Sequence, residues 1–225
     1  MKTLCEYLHR TESAAHVLFR GLAGYRAILT GAEVQTLIVA YRDDADLERQ
    51  TTEWLSSNER AIVRQKEAFA SFAAETFSQA TLAGAILQLA SAAIEQFGVP
   101  RALSSDARQV VPPSKSQFWA GRIVRGLPLG AVLLAGRNQH MHSSDKDFNR
   151  FTTAAFARMA TAHGFPGYEN VSDPGLSLAS RDRDNPLLRS LAHNILFVTG
   201  WKSPSDMRED LTDIIDTGGP VSFPS

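Results

Sequence analysis

The chain has 225 residues, enough to bury a sizeable core, and its 44% hydrophobic and 21% charged residues are ordinary values for a soluble globular protein. The formal net charge of −1 predicts no strong overall attraction to nucleic acid or to an anionic membrane. The single cysteine, Cys5, excludes an internal disulfide and a thiolate metal cluster. Charged residues occupy the N-terminus where a signal peptide needs an apolar core, so we expect a cytoplasmic location.

The first 99 residues favour long helices, because they contain no proline and only five glycines. Apolar residues recur at helical spacing in two stretches, 32–55 and 59–77. In the second stretch, Phe69 and Phe77 fall on the stripe predicted to face the core. The most apolar stretch, LAGAILQLASAAI (82–94), has 13 residues, too few to span a bilayer. We therefore expect a buried helix there and no membrane partner.

The rest of the chain predicts helices joined by loops. Residues 98–115 contain three prolines and three serines, which is typical of a long connection. Helical patterns follow in 116–126, 128–141, 145–164, 186–200 and 203–215, with Ser203 as an N-cap, and 165–185 predicts an irregular loop. The sequence thus predicts an all-α protein, a helical bundle of six to eight helices with the long helices in its N-terminal half. Residues 1–225 are interpreted as a single helical domain, with a long-helix half at 1–99, a motif-bearing half at 115–216 and a loose tail at 217–225.

Most sequence motifs that signal chemistry do not occur in the chain. It contains no glycine-rich phosphate loop, no H-E-x-x-H and no G-x-S-x-G. His9, Glu12 and His16 would share one face of a helix, and two imidazoles with a carboxylate at that spacing can hold a divalent metal. The alternative is a hydrated amphipathic surface, since the sequence shows no fourth ligand. We favour that alternative and expect neither a metal nor a cofactor.

The stretch LLAGRNQHMHSSD (133–145) is the strongest candidate for a site. An apolar helical run gives way to Arg137, Asn138, His140 and His142 within six residues. Metal-free cleavage of RNA needs a base for the 2′-hydroxyl proton, an acid for the leaving oxygen and a cation against the charge on the phosphate. Histidine titrates in the range that suits the first two tasks, and a guanidinium supplies the third.

This pattern resembles the R-x(4–6)-H motif of the HEPN superfamily, in which a polar residue often follows the arginine. Arg137 and His142 stand at that spacing, and Asn138 is the polar neighbour. The resemblance implies a metal-independent endoribonuclease acting on RNA as a homodimer, in a toxin or phage-defence effector with a cognate antitoxin or regulatory partner. No tyrosine follows His142 closely, so the resemblance does not favour the branch paired with a nucleotidyltransferase antitoxin. Some members of the superfamily have lost catalysis and serve as interaction modules.

Helical geometry restricts how the motif residues could act. Residues five apart diverge by about 140° on an unbroken helix, so Arg137 and His142 converge only if the helix ends near Met141 or if a second subunit supplies one of them. Asn138 and His142, four apart, share a face, and the amide could orient the imidazole or contact RNA. His140 is the alternative acid or base, because it is closer in angle to Arg137.

A basic region surrounds the motif in the sequence. Residues 101–142 carry six lysines and arginines against one acid, and we expect Arg122, Arg125 and His140 to contact the RNA backbone. Two alternatives stay open. The arginines could form ion pairs with acidic side chains elsewhere in the fold. The motif could also be an ordinary polar helix end in a non-catalytic helical ligand- or partner-binding module.

Overall fold

The computed structural model describes residues 3–30, 37, 40–145, 147–162, 171–178 and 190–216. In this part of the chain the protein is mostly helical, with eight α-helices, one 3-10 helix and one short hairpin. The prediction of an all-α protein with its long helices in the N-terminal half is confirmed. The elements are α1 (Leu4–Thr30), α2 (Asp44–Ala74), α3 (Thr76–Phe97), α4 (Ala107–Val110), the 3-10 helix (Pro113–Phe118), β1 (Ile123–Val124), β2 (Leu127–Pro128), α5 (Leu129–Met141), α6 (Arg150–Thr161), α7 (Ala192–Thr199) and α8 (Pro204–Asp216).

The chain forms two compact units. The first contains residues 1–21 and 77–225, and the second contains residues 22–76. Composition suggested a different subdivision, into 1–99 and 115–216. The difference arises because the start of α1 belongs to the same unit as α3 to α8, a long-range association that local composition does not report.

Helix α5 is the central element of the first unit. Every residue from Leu129 to Gly136 is buried, and α5 contacts α6, α7, the 3-10 helix and the hairpin. Two glycines permit this close approach. A Cβ at Gly130 would come within 2.4 Å of the Phe118 carbonyl oxygen, and one at Gly136 within 2.8 Å of Ile195 Cγ2. The motif therefore lies at the end of a helix that its neighbours hold on several sides.

Helix α3 extends the predicted apolar helix at 82–94 to 22 residues. Among the described helices, α3 is the one long and apolar enough to cross a membrane. Of its most apolar segment of 18 residues, 56% is buried inside the protein. Ala83, Ile86, Leu87 and Ala90 have no accessible surface. This burial matches the expected core helix, although the helix is longer than the sequence suggested.

The prediction of a helix over 116–126 was wrong. The 3-10 helix ends at Phe118, and a two-stranded antiparallel hairpin follows, in which Val124 pairs with Leu127. Arg125 and Gly126 connect the strands with φ values of 48° and 73°. Positive φ at both central residues gives the tight turn that matches strand twist. Pro128 then immediately precedes α5.

Several helix boundaries also differ from the prediction. The stretches 32–55 and 59–77 do not form separate helices, because α2 runs without a break from Asp44 to Ala74. Helix α6 begins at Arg150, where the side chain of Asn149 accepts the Thr152 backbone N–H. The N-cap at Ser203 is confirmed, because Ser203 and Asp206 bond each other's backbone N–H groups at 2.9 and 3.4 Å. Most of the predicted loop 165–185 and the tail 217–225 lie outside the described residues.

Candidate active site at the end of α5

The end of α5 places Arg137 inside the helix and His142 just beyond it. The last helical residue is Met141, and His142 is the C-cap with φ −111° and ψ 24°. Its backbone N–H still donates to the Asn138 carbonyl oxygen at 3.1 Å, and a turn carries the chain on to Asp145. Helix α5 therefore ends at Met141, as it must if Arg137 and His142 of one chain are to act together.

His142 presents an accessible imidazole that a carboxylate orients. Its side chain is 58% exposed, and Nδ1 lies 2.9 Å from Asp145 Oδ2. A hydrogen bond to a carboxylate at Nδ1 favours the tautomer that carries the proton there, which leaves the Nε2 lone pair free to accept a proton. Asp145 is a functional candidate that sequence reasoning missed. Its signal was the acidic residue three positions after the histidine.

The guanidinium of Arg137 is held against α3. Its Nε donates to Gln88 Oε1 at 2.9 Å and its Nη1 to Glu95 Oε1 at 3.3 Å, and the side chain is only 24% exposed. The same Glu95 oxygen accepts a bond of 2.6 Å from Lys115 Nζ. One carboxylate thus lies between two cations. Sequence reasoning missed Gln88 and Glu95, although both are polar residues of an apolar helix and stand seven residues apart, on one face.

Arg137 and His142 have different partners within one chain. Arg137 contacts the side of α3, whereas His142 contacts the turn that follows α5. Asn138 is half-buried, and it contacts His142 through its backbone carbonyl oxygen, which accepts the hydrogen bond from the His142 backbone N–H. The side chain that orients the imidazole in this structure is therefore that of Asp145, where we expected Asn138.

His140 is packed into the fold. Its Nδ1 lies 2.8 Å from Ser190 Oγ, and its ring lies against Gly84 of α3, where an added Cβ would come within 2.1 Å of Nε2. Burial lowers the pKa of His140. Because both ring nitrogens face protein, His140 is poorly placed to contact RNA or to exchange a proton with it. Of the two histidines, His142 has the geometry of an acid or base.

No family model, curated protein or solved structure matches this chain. The residues of this chain are therefore what identifies the site. The site consists of the exposed His142 imidazole, held by the Asp145 carboxylate, and of Arg137, which lies five residues earlier inside α5.

The structure does not bring Arg122 and Arg125 to the motif. Both lie in the hairpin before α5, and the 13 residues of α5 separate that end from His142 by roughly 20 Å. Arg122 makes two bonds of 2.9 Å to Asp210, and this hydrogen bonding raises its pKa. Arg125 donates to Asp173 Oδ2 at 3.1 Å. Both arginines thus have acidic partners within the fold, which is the alternative left open by the sequence.

The metal hypothesis at His9, Glu12 and His16 gains no support. Glu12 accepts a bond of 2.9 Å from Arg208, and its other oxygen lies 3.8 Å from His9 Nδ1. Within the described ranges, no three histidine, cysteine, aspartate or glutamate side chains gather as a set of metal ligands.

Proposed function

We propose that the end of α5 is the active site of a metal-independent endoribonuclease of the HEPN type. One observation carries the proposal: α5 ends at Met141, so that His142 leaves the helix with an exposed imidazole whose Nδ1 is held by Asp145. Arg137, at the motif spacing, contributes the permanent cation. A role as a toxin or phage-defence effector in the cytoplasm, restrained by an antitoxin or another partner, is part of the same proposal.

The chemistry assigns one task to each side chain. The Nε2 atom of a neutral His142 takes the proton from the 2′-hydroxyl, whose oxygen attacks the adjacent phosphorus. A protonated imidazole gives its proton to the departing 5′-oxygen, so the products are a 2′,3′-cyclic phosphate and a 5′-hydroxyl end. The Arg137 guanidinium stabilises the negative charge that develops on the phosphate oxygens. Asp145 holds the imidazole in the useful tautomer.

The proposed reaction is better served by two copies of the chain than by one. A single subunit offers one exposed imidazole at this site, whereas the reaction needs a base and an acid at once. Arg137 of one chain is also turned towards Gln88 and Glu95, away from the turn that holds His142. A homodimer that places the two α5 ends opposite each other would supply two imidazoles and two guanidiniums to one phosphate.

The first test is an RNA cleavage assay in the presence of EDTA. We expect the unmodified protein to cut a mixed-sequence RNA and to leave the matching DNA intact, because the DNA has no 2′-hydroxyl. His142→Ala should abolish cutting, and Arg137→Ala should reduce it by about a hundredfold or more. His16→Ala is the matched control, because His16 is an exposed helical histidine away from α5. Full activity in His142→Ala would reject the proposal.

A second candidate function is the non-catalytic helical binding module. It is favoured by the carboxylate partners of Arg122, Arg125 and Arg137, which reduce the positive field that RNA would meet. A salt titration distinguishes the two. The ribonuclease should bind a non-cleavable 2′-deoxy analogue more weakly as salt rises, because phosphate contacts release counterions. The binding module should show no such salt-dependent binding even in dilute buffer.

A further inference from the structure

Helix α2 carries an apolar stripe that its own unit does not cover. Leu55, Ile62 and Phe69 are seven residues apart, so they lie within about 40° of one another around the helix. Leu55 is 48% exposed and Phe69 is 52% exposed, whereas the sequence pattern placed Phe69 in the core. No residue of α2 whose side chain is described is fully buried. Ile62, between Leu55 and Phe69, is half-buried, so the stripe offers a partner mainly its two exposed ends.

The heptad spacing of the stripe indicates a helix as the partner. Apolar residues repeated every seven positions form a seam along one side of a helix, which another helix can cover over several turns. The half-buried residues Trp54, Ala61 and Ala68 lie on a neighbouring side of α2. The exposed residues of the seam thus border the face that the chain itself uses.

Charges beside the stripe indicate that the partner is a second copy of α2 running in the opposite direction. Glu59 and Lys66 border the stripe on the same side, also seven residues apart. If two antiparallel helices cross at Ile62, Leu55 of one copy lies over Phe69 of the other, and Glu59 faces Lys66 to within one residue. A parallel pair would instead set Glu59 and Lys66 of the two copies on opposite sides of the seam, where they do not meet.

The charge distribution along the whole helix agrees with this orientation. Residues 44–59 carry five acidic and one basic side chain, whereas residues 60–74 carry three basic and one acidic side chain. An antiparallel pair brings the acidic half of each copy beside the basic half of the other, and a parallel pair sets like halves together. The same surface is therefore complementary to itself in one direction only.

We infer that two copies of this chain associate through antiparallel pairing of α2 about Ile62. The inference does not rest on the proposed ribonuclease activity, because every residue that carries it belongs to the second unit and none belongs to the end of α5.

Sedimentation equilibrium of the full chain tests the interface. We expect the unmodified protein to self-associate at micromolar concentrations and Ile62→Asp to halve the mass of the assembly, since each copy would place a charge at the crossing point. Ser71→Asp adds the same charge to an exposed position outside the stripe and should leave the mass unchanged. Circular dichroism checks that both variants keep their helical content. An unmodified protein that stays monomeric at 100 μM, or an unchanged mass in Ile62→Asp, would overturn the inference.

Charge reversal tests the orientation. Glu59→Lys sets lysine against lysine at two symmetry-related contacts of the antiparallel pair, so the dissociation constant should rise about tenfold, and Lys66→Glu should do the same. The double variant Glu59→Lys/Lys66→Glu restores both contacts and should recover the original dissociation constant. In a parallel pair these positions do not meet, so neither single variant should raise the dissociation constant, and that result would reject the antiparallel arrangement.

Cysteine cross-linking provides a second readout of orientation. In a background of Cys5→Ser, which removes the one native cysteine, a chain with Leu55→Cys is mixed with a chain with Phe69→Cys under mild oxidation. The antiparallel pair should give a mixed disulfide between the two chains and little self-linked product from either. Efficient self-linking of the Leu55→Cys chain alone would contradict the inference.

Discussion

The guanidinium of Arg137 and the carboxylate of Glu95 form a half-buried ion pair between α5 and α3, with Nη1 and Oε1 3.3 Å apart. Lys115 Nζ donates to the same Glu95 oxygen, so one carboxylate provides the negative charge that faces both cations. The pair fixes the orientation of the proposed catalytic cation. It also connects the motif to a helix that forms much of the core.

Glu95→Gln should destabilise the first unit by about 1–2 kcal/mol, because two partly buried cations lose their counter-charge while an amide keeps the shape. The measurement is urea unfolding followed by the fluorescence of Trp119 and Trp201, both of which belong to that unit. Glu6→Gln is the matched control, since Glu6 pairs with Arg10 at a solvent-accessible site of the same unit and should change stability by less than about 0.5 kcal/mol. Equal losses of stability in the two variants would mean that the ion pairs of Glu95 stabilise the protein no more than an exposed ion pair does.

Gly84→Ala should force His140 out of its position. The new Cβ would come within 2.1 Å of Nε2, and the imidazole is enclosed by α3 and by Ser190. We expect a loss of about 1–3 kcal/mol in the free energy of unfolding. Gly24→Ala provides the control, because a Cβ at Gly24 meets nothing within 4 Å and should stabilise helix α1 by up to about 1 kcal/mol.

A double variant separates this clash from a general effect of the substitution. With His140→Ala present, the extra methyl at Gly84 should cost much less than it does alone, because the ring that it meets is gone. Purely additive losses would show that the two residues do not interact.

The buried imidazole of His140 should make stability depend on pH. Burial lowers its pKa in the folded protein, so the unfolded chain binds the proton more readily. Stability should therefore be complete above the unfolded pKa of about 6.5 and should fall as pH decreases from there towards the folded pKa. Unfolding free energies measured between pH 5 and 8 should show this slope in the unmodified protein and a smaller slope in His140→Gln. Identical slopes would contradict the role assigned to His140.

Local sequence rules predicted part of this molecule well. The scarcity of proline and glycine before Gly98 predicted long helices, and Ser203 caps the last helix as expected. The apolar run before Arg137 predicted a helix that changes character at the motif, and α5 does so. Each of these features depends on residues close together in the chain.

The features that were missed are one turn that local propensity disfavours and several contacts between residues distant in the chain. The turn at Arg125 puts a residue other than glycine at positive φ, which propensity does not favour. The choice between His140 and His142 was open because Gly84 and Ser190, which enclose His140, are more than 45 residues away from it along the chain. The acidic partners of Arg122 and Arg125 are likewise remote, so a basic stretch of sequence did not become a basic surface.

Asp145 provides the most direct test of whether His142 performs chemistry. Asp145→Asn keeps the size of the side chain but removes the charge that holds the Nδ1 proton and stabilises the imidazolium. We expect RNA cleavage to fall by about tenfold to a hundredfold in kcat with little change in KM, because the substrate does not need Asp145 in order to bind.

The matched control is Asp147→Asn, which removes an exposed carboxylate two residues further along the chain. It should change neither kcat nor KM. If both variants lose activity equally, the effect is one of overall charge near the RNA. If neither does, Asp145 only caps the turn after α5, and His142 would have to act without a carboxylate partner. A selective loss of kcat in Asp145→Asn is expected only when the imidazole takes part in the reaction, because a purely structural turn would change stability and leave kcat in the folded protein as it was.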